Sequence, residues 1–250
     1  MHDAAVTVGA LPERFAALRD ADGAIGIDAY FTAARGAGDD APLEMTKWFD
    51  TNYHFLVPEI GPETVFSLSS DRFARQVAEA KADGFTVRPV IVGPVTLLAL
   101  AKASDASPQG FDPLSRLDDL LPVYAELLSA LRAAGAEWVQ LDEPALVSES
   151  LPADAAVLAD AAARAYAALG VRGDRPAILV AAGYAQLPAW SRVARPSPSR
   201  WQRHPPPSRT VAAHPGCATA PCASGPRCWT PVTSSAATTT PASQRRTPSS

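Results

Sequence analysis

The order of local patterns between residues 60 and 181 constrains the fold of this chain more than any other feature. Short apolar runs rich in β-branched residues alternate there with stretches whose apolar residues recur at helical spacing. Strands that alternate with helices in this way pair in parallel through right-handed crossovers, so the predicted fold class is α/β. The predicted strands are 65–68, 86–93, 137–141 and 177–181, and the predicted helices are 71–82, 113–134 and 155–169.

The ends of the predicted helices carry local signals. Ser70 or Asp71 can cap the first helix, and Asp112 followed by a proline opens a long helix that stops near Gly135. The leucines of the long helix recur at core spacing, and the strand at 86–93 is predicted to be buried on both faces. Since no glycine-rich dinucleotide fingerprint occurs, the pattern supports a (β/α)8 barrel at least as well as a Rossmann-type sheet.

The segment 44–59, with the sequence EMTKWFDTNYHFLVPE, follows neither the helical nor the strand period. It combines one lysine, several hydrogen-bonding groups and four aromatic side chains within a short stretch. Flat apolar walls around a few fixed polar groups are typical of small-molecule sites, which makes this segment a candidate ligand site. The alternative is an aromatic-rich loop that plugs the end of a barrel.

The same segment resembles a signature of the N-terminal domain of the cobalamin-independent methionine synthases, also called 5-methyltetrahydropteroyltriglutamate–homocysteine methyltransferases. Three later motifs extend the resemblance in the family's order, over about residues 4–181: RPVIVGPVT at 88–96, LPVY at 121–124 and EWVQLDEPAL at 137–146. The resemblance implies that residues 1–182 form a partial domain on the folate side of the enzyme. Its implied fold is an incomplete (β/α)8 TIM-type barrel, of which about four strands are visible.

The resemblance also implies a reaction, the transfer of a methyl group from 5-methyltetrahydrofolate polyglutamate to homocysteine to make methionine. In the family, a C-terminal domain holds zinc and homocysteine, and we expect this domain to be missing here, because the resemblance covers only the N-terminal domain. We therefore expect a fragment that is inactive alone and that has no catalytic residue, metal ligand or bound cofactor of its own. The alternatives are a stand-alone module that binds polyglutamyl folate or pairs with a separate C-terminal domain, and a non-functional product of a degraded gene.

Lys47 is the principal candidate for substrate binding. The resemblance implies that a lysine at this position holds the polyglutamate tail of the folate, and a flexible ammonium suits a ligand with several carboxylates. Trp48, Asn52, Tyr53 and His54 are weaker candidates that either line the pterin side of the groove or close the end of the barrel. As a metal ligand, His54 lacks a partner at short ligand spacing apart from a nearby glutamate, so a structural histidine is favoured.

Asp142 and Glu143 are candidates because they follow a predicted strand, where a barrel places its functional groups. Adjacent side chains point to opposite sides of a strand, so only one of the two carboxylates can face the mouth of the barrel. Both are weaker candidates for substrate binding than the lysine. The alternative is that one of them caps a helix or pairs with an arginine at the rim.

Several classes of protein are not indicated by the sequence. No apolar run is long enough to span a bilayer, and the N-terminus lacks the basic and apolar regions of a signal peptide. The first 190 residues contain no cysteine, which fits a cytoplasmic compartment. We expect neither a membrane partner nor a specific nucleic acid. Because half a barrel leaves unpaired strand edges, we expect a marginal or misfolded species when the chain is expressed alone.

The last part of the chain differs sharply in composition from the rest. Up to Trp190 there are 14 Lys and Arg against 26 Asp and Glu, whereas 191–250 contain 8 Arg and no Lys, Asp or Glu. With 11 prolines and no Leu, Ile, Phe, Tyr or Met in 191–250, the segment 183–250 is predicted to be a disordered tail. The tail is either natural or a reading-frame artefact, and the artefact is the favoured interpretation. Its three cysteines, Cys217, Cys222 and Cys228, fit no common zinc spacing.

Overall fold

A computed structural model of the chain describes residues 1–21, 23–151, 153–171 and 173–185, all within one unit, Met1–Arg200. The helices are α1 (His2–Thr7), α2 (Ile27–Arg35), α3 (Arg72–Ala82), α4 (Pro94–Ala99), α5 (Leu117–Ala134) and α6 (Ala155–Gly170). The strands are β1 (Met45–Lys47), β2 (His54–Leu56), β3 (Glu59–Ile60), β4 (Val90–Val92), β5 (Lys102–Ala103), β6 (Trp138–Asp142) and β7 (Ala177–Ala181). Short 3-10 turns occupy Glu13–Leu18, Pro113–Arg116 and Pro144–Val147.

A three-stranded parallel sheet in the order β4-β6-β7 forms the centre of the described region. Ile91 lies opposite Leu141, and Leu141 lies opposite Val180. The strands are joined through helices, which is the α/β class that the alternating pattern predicts. A parallel pair, β3-β5, and an antiparallel hairpin, β1-β2, complete the strands.

The hydrophobic core lies between one face of this sheet and the helices. The apolar face of α5 is fully buried there, together with residues of α4 and α6. The buried side chains of the sheet in this core are Ile91, Val139 and Leu141, and the partly buried Val92 and Ile178 pack against it. On the other face of the sheet, Val90 is 49% and Leu179 36% exposed. The helices therefore cover one face of the sheet, and the prediction that the strand at 86–93 is buried on both faces is wrong for the described residues.

The predicted helices are confirmed, and their ends follow the predicted signals. Asp71 precedes α3. The Asp112 carboxylate accepts the Leu114 N–H at 2.9 Å, although the first turn after it is 3-10 and α5 proper starts at Leu117. Gly135 ends α5 with φ +103°, a left-handed conformation that glycine adopts without steric cost.

Two of the predicted strands need correction. The strand predicted at 86–93 shrinks to β4, because Pro89 has no N–H to donate and only its carbonyl joins the ladder, accepting the Gln140 N–H at 2.9 Å. The run 65–68 is irregular chain, and the Ser67 N–H bonds to the Val8 carbonyl at 3.1 Å beside α1. The remaining two are confirmed as β6, shifted by one residue, and β7.

Other predictions about the architecture stay predictions. The described strands form three separate small sheets, so the incomplete TIM-type barrel is not decided by their pairing. The tail predicted over 183–250, with its three cysteines, lies outside the described residues except for 183–185. Within the described residues, every helix is too short or too polar to cross a lipid bilayer.

Candidate functional site

The candidate ligand segment folds as a hairpin with an ordered turn. In the register of β1 and β2, Lys47 lies opposite His54. The turn closes where the Trp48 N–H bonds to the Tyr53 carbonyl at 2.8 Å. The Thr51 hydroxyl stabilises the turn through two hydrogen bonds. It donates to the Trp48 carbonyl at 2.6 Å and accepts the Tyr53 N–H at 3.1 Å. The aromatic-rich segment is therefore a defined surface hairpin.

One face of the hairpin carries an aromatic cluster, which consists of Trp48, Phe49, Phe55 and Tyr184. Trp48 packs edge-on against Phe49 and Phe55, with ring centroids 5.0 and 5.5 Å apart. Tyr184 stacks on Phe49 at 5.7 Å, and its hydroxyl accepts the Trp48 Nε1–H at 3.1 Å. Tyr184 follows β7 by three residues, so the cluster connects the hairpin to the carboxyl end of the parallel sheet.

Two residues of the aromatic cluster have unusual backbones. Phe49 has φ +50° and Tyr184 has φ +83°, and they are the non-glycine residues with positive φ within the described ranges. Each such residue costs of order 1 kcal/mol and persists where its surroundings enforce it. Because the rings of these two residues stack on each other, the contact that joins hairpin and sheet is also the contact that holds both strained backbones.

Lys47 and His54 lie on the other face of the hairpin. Successive side chains of a strand alternate, so these two point away from the face that carries Phe55 and Trp48. Both side chains are exposed, as are those of Asn52 and Tyr53. Within the described ranges, Lys47 makes no ion pair and no side-chain hydrogen bond, which leaves its ammonium available to an anionic ligand.

A network of ion pairs lies at the base of the hairpin, around the Glu59 carboxylate. Glu59 is 6% exposed, and both its oxygens accept from the Arg14 guanidinium, Nη2 at 2.9 Å from Oε1. The Lys102 ammonium lies 3.3 Å from Oε1 and 3.4 Å from the Glu44 carboxylate. Burial disfavours ionisation of Glu59, but Arg14 and Lys102 outweigh it and lower the pKa of Glu59 below its usual range. Glu59 is therefore engaged by these cations and not by His54.

Glu143 sits in a fully buried pocket beyond the end of β6. Its carboxylate accepts the N–H groups of Val95 and Thr96 at 3.2 and 2.6 Å and the Tyr166 hydroxyl at 2.8 Å. The two backbone donors belong to the first turn of α4, so Glu143 caps a helix that lies 48 residues earlier in the chain. Burial raises the pKa of Glu143, although these hydrogen bonds partly oppose the shift.

Gly93 lies where two of the sequence motifs meet. A Cβ on Gly93 would collide with the carboxyl group of Glu143. The motif around 88–96 therefore supplies both the open space and the N–H donors that the Asp-Glu-Pro motif uses.

Asp142, the neighbour of Glu143, points to the other side of the strand. It is half-buried at the end of β6, and its carboxylate accepts the Gln140 amide at 2.8 Å. Of the alternatives for this pair of carboxylates, helix capping matches the geometry of Glu143. Whether either carboxylate contacts a substrate stays a prediction.

The hairpin brings together the five predicted residues Lys47, Trp48, Asn52, Tyr53 and His54, while Asp142 and Glu143 belong to the sheet. Sequence reasoning missed Tyr184, Tyr166 and Arg14. For Tyr184 a signal existed, because it follows a predicted strand at the end where functional groups collect. No signal pointed to Arg14, whose role depends on a contact 45 residues away.

The described residues do not supply a metal site. Among them, no group of three His, Cys, Asp or Glu side chains is arranged to hold a metal ion. They therefore do not fit the zinc that the resemblance places in the full-length family enzymes.

The fold and this site define a mixed α/β domain with an exposed lysine on a hairpin beside the carboxyl end of a parallel sheet. A family described as "Cobalamin-independent synthase, N-terminal domain" matches residues 1–195. The chain belongs to this family, and the resemblance seen in its motifs is confirmed.

The relatives are enzymes much longer than this chain. The 5-methyltetrahydropteroyltriglutamate–homocysteine methyltransferase of Streptomyces griseus is 58% identical over 185 residues, which are 74% of this chain and 23% of that protein. The enzyme of the same name from Mycobacterium tuberculosis is 51% identical over 196 residues, 77% of this chain and 24% of that protein. The chain thus spans about a quarter of the length of these relatives.

Among solved structures, the putative vitamin-B12 independent methionine synthase from Listeria monocytogenes matches with a TM-score of 0.37 and 18% identity. The match covers 46% of this chain and 38% of that one.

Proposed function

We propose that this chain contributes the folate-side surface of a methyltransferase that moves a methyl group from 5-methyltetrahydropteroyl polyglutamate to homocysteine, giving methionine. Family membership and the activity for which the relatives are named support the reaction. The proposed part of this chain is binding, with Lys47 holding carboxylates of the polyglutamate tail. In this proposal the homocysteine chemistry belongs to groups outside the described residues, the isolated chain does not catalyse methyl transfer, and the place of action is the cytoplasm.

The observation that carries the proposal is the placement of Lys47. Its side chain is exposed, and within the described ranges no carboxylate neutralises it. The opposite face of the hairpin is held by the aromatic cluster, so the lysine projects from a fixed support. His54, directly across the hairpin, adds a second nitrogen donor on the same face. Such a surface suits an extended ligand with several carboxylates, because an ammonium can follow more than one acceptor.

The same proposal assigns the pterin end of the ligand to the neighbourhood of the hairpin turn. Asn52 and Tyr53 are exposed there and offer hydrogen-bonding groups and a flat ring. Asp142 is the carboxylate candidate at the end of the sheet. We further propose that the parallel strands belong to a (β/α)8 barrel, which the α/β order and the parallel pairing support.

Calorimetric titration of the full chain with 5-methyltetrahydropteroyl triglutamate and monoglutamate tests the binding proposal. Lys47→Ala should weaken triglutamate binding about tenfold, the usual cost of one lost charged hydrogen bond, and change monoglutamate binding much less. Lys81→Ala is the matched control, because Lys81 is an exposed lysine at the end of α3.

Two outcomes would count against different parts of the proposal. Equal affinities of the Lys47 and Lys81 variants would exclude Lys47 as the tail-binding residue. Absence of binding to either folate by the unaltered chain would exclude the folate-binding function itself.

A further inference from the structure

The Glu59 carboxylate occupies the joint between the hairpin and the parallel pair β3-β5. Strand β2 continues through Val57 and Pro58 directly into β3, where Glu59 is the first residue. The Val57 N–H bonds to the Glu44 carbonyl at 2.8 Å, and the Lys102 N–H bonds to the Pro58 carbonyl at 2.9 Å. Within two residues the chain thus changes from pairing with the hairpin to pairing with β5.

Both cations that bind Glu59 also contact the segment that leads into β1. The Arg14 Nε–H donates to the Ala41 carbonyl at 3.0 Å, while the Arg14 guanidinium binds Glu59 through its other nitrogens. The Lys102 ammonium bridges Glu59 and Glu44. The buried carboxylate therefore fixes two cations, each of which holds a different residue of the segment 41–44.

Burying a carboxylate costs free energy of desolvation. Hydrophobic side chains of the same volume would often stabilise a protein at least equally. Buried ionic groups are best attested where they select one register or arrangement of the chain. Glu59 lies at a joint between two pairing partners, where such a selection is needed. Lys47 is three residues beyond Glu44, so any slip of the segment 41–44 would move its ammonium.

We propose that Glu59 is a positioning residue that sets the base of the hairpin through Arg14 and Lys102 and thereby places Lys47 for its ligand. The part that concerns the ligand rests on the proposed function. Glu59 itself does not touch the ligand, and the effect of its loss is transmitted through the segment 41–44.

Hydrogen exchange of the full chain without ligand tests the placement directly. In Glu59→Gln the amides of Trp48 and Val57, which close the hairpin, should exchange about tenfold faster, while those of α5 stay unchanged. Asp3→Asn is the matched control, because it removes another ion pair, Arg72–Asp3 at 2.7 Å, which joins α1 and α3. Unchanged exchange of the hairpin amides in Glu59→Gln would overturn the proposal.

A double-mutant cycle on triglutamate binding tests the link to Lys47. Lys47→Ala should weaken binding about tenfold in the unaltered background but no more than about twofold in the Glu59→Gln background, because coupled residues lose additivity. In the Asp3→Asn background the tenfold effect should persist. Full additivity of Glu59→Gln with Lys47→Ala would overturn the positioning role. If the unaltered chain binds no folate, the proposed function fails, and the exchange experiment still decides whether Glu59 sets the hairpin.

Lys102→Met provides a second variant if Glu59→Gln does not fold. It removes the bridge to Glu44 and leaves the Arg14–Glu59 pair in place. Faster exchange at Trp48 and Val57 in this variant supports the proposal. Global unfolding of both variants would overturn it, because Glu59 would then support the whole fold and not the hairpin.

Discussion

The hairpin β1-β2 and the sheet β4-β6-β7 are held together by different forces. The sheet packs one face against α5, where the apolar side chains are fully buried. The hairpin buries little, and its order comes from one threonine hydroxyl, the aromatic cluster and the ion pairs around Glu59. The candidate binding residues lie on the hairpin, so the proposed ligand binding depends on a few specific contacts, whereas the stability of the fold depends on many apolar ones. Four pairs of substitutions probe this difference.

The largest expected effect is a loss of stability when the sheet core is truncated. Leu141→Ala should lower the free energy of unfolding by about 3 kcal/mol, since a fully buried leucine leaves a cavity in a close-packed core. Leu179→Ala, in the neighbouring strand but on the exposed face, should cost about 1 kcal/mol or less. Urea unfolding of both variants measures the difference. Equal costs would mean that the second face of the sheet is also covered.

A smaller loss is expected where the two motifs meet. Gly93→Ala should destabilise the protein by about 2 kcal/mol, because the added methyl group forces the Glu143 carboxylate away from its donors on α4. Gly170→Ala is the control, since a Cβ there has open space at the end of α6. The same unfolding experiment applies. A neutral Gly93→Ala would show that Glu143 does not need its present position.

A local effect is expected from the aromatic cluster. Tyr184→Phe removes the acceptor of the Trp48 indole and should weaken the attachment of the hairpin by about 1 kcal/mol. Tryptophan fluorescence and exchange at the hairpin amides should change, while the urea midpoint of the sheet should not. Tyr53→Phe, at a ring that is 77% exposed, is the control and should change neither. A shift of the urea midpoint in Tyr184→Phe would contradict the separation of hairpin and sheet.

The smallest effects are opposite dependences of stability on pH at two buried carboxyl groups. The pKa of Glu59 is lowered, so its contribution to stability is present above its unfolded pKa, near 4.5, and is lost as the pH falls through the folded value. The pKa of Glu143 is raised, so its contribution is present below about pH 4.5 and is lost as the pH rises through the folded value.

Glutamine variants separate these two contributions. On going from pH 4 to pH 7, Glu59→Gln should become more destabilising relative to the unaltered chain, and Glu143→Gln should become less destabilising. Unfolding curves at several pH values measure both trends. Trends of the same sign would mean that the two carboxyl groups do not differ in the way their surroundings imply.

The sequence predicts the sheet region well because its signals are local. Caps, glycine stops and apolar periods act within a few residues, and they locate α3, α5 and α6 closely. Pro89 shortens β4 because it has no N–H to donate, and this equally local signal could have predicted the shorter strand. The exposure of Val90 could not be predicted, because its apolar neighbours say nothing about which elements cover the strand.

The candidate site was predictable only in part, because its geometry depends on contacts between distant residues. The motif identified Lys47 and its neighbours, but neither Arg14 nor Tyr184 lies near them in sequence. The capping of α4 by Glu143 likewise joins two motifs 48 residues apart. Local patterns carry no information about such pairs, which follow from the topology of the chain.

The contact between Trp48 and Tyr184 also has a consequence for how the chain is made. The two residues are 136 positions apart, and at typical rates of synthesis roughly 10 s pass between their appearances. During that interval the hairpin can close through its own hydrogen bonds. The Trp48 indole cannot bond to the Tyr184 hydroxyl until the ribosome has added that residue. The surface proposed to bind ligand is thus among the last parts of the described chain to be completed during translation.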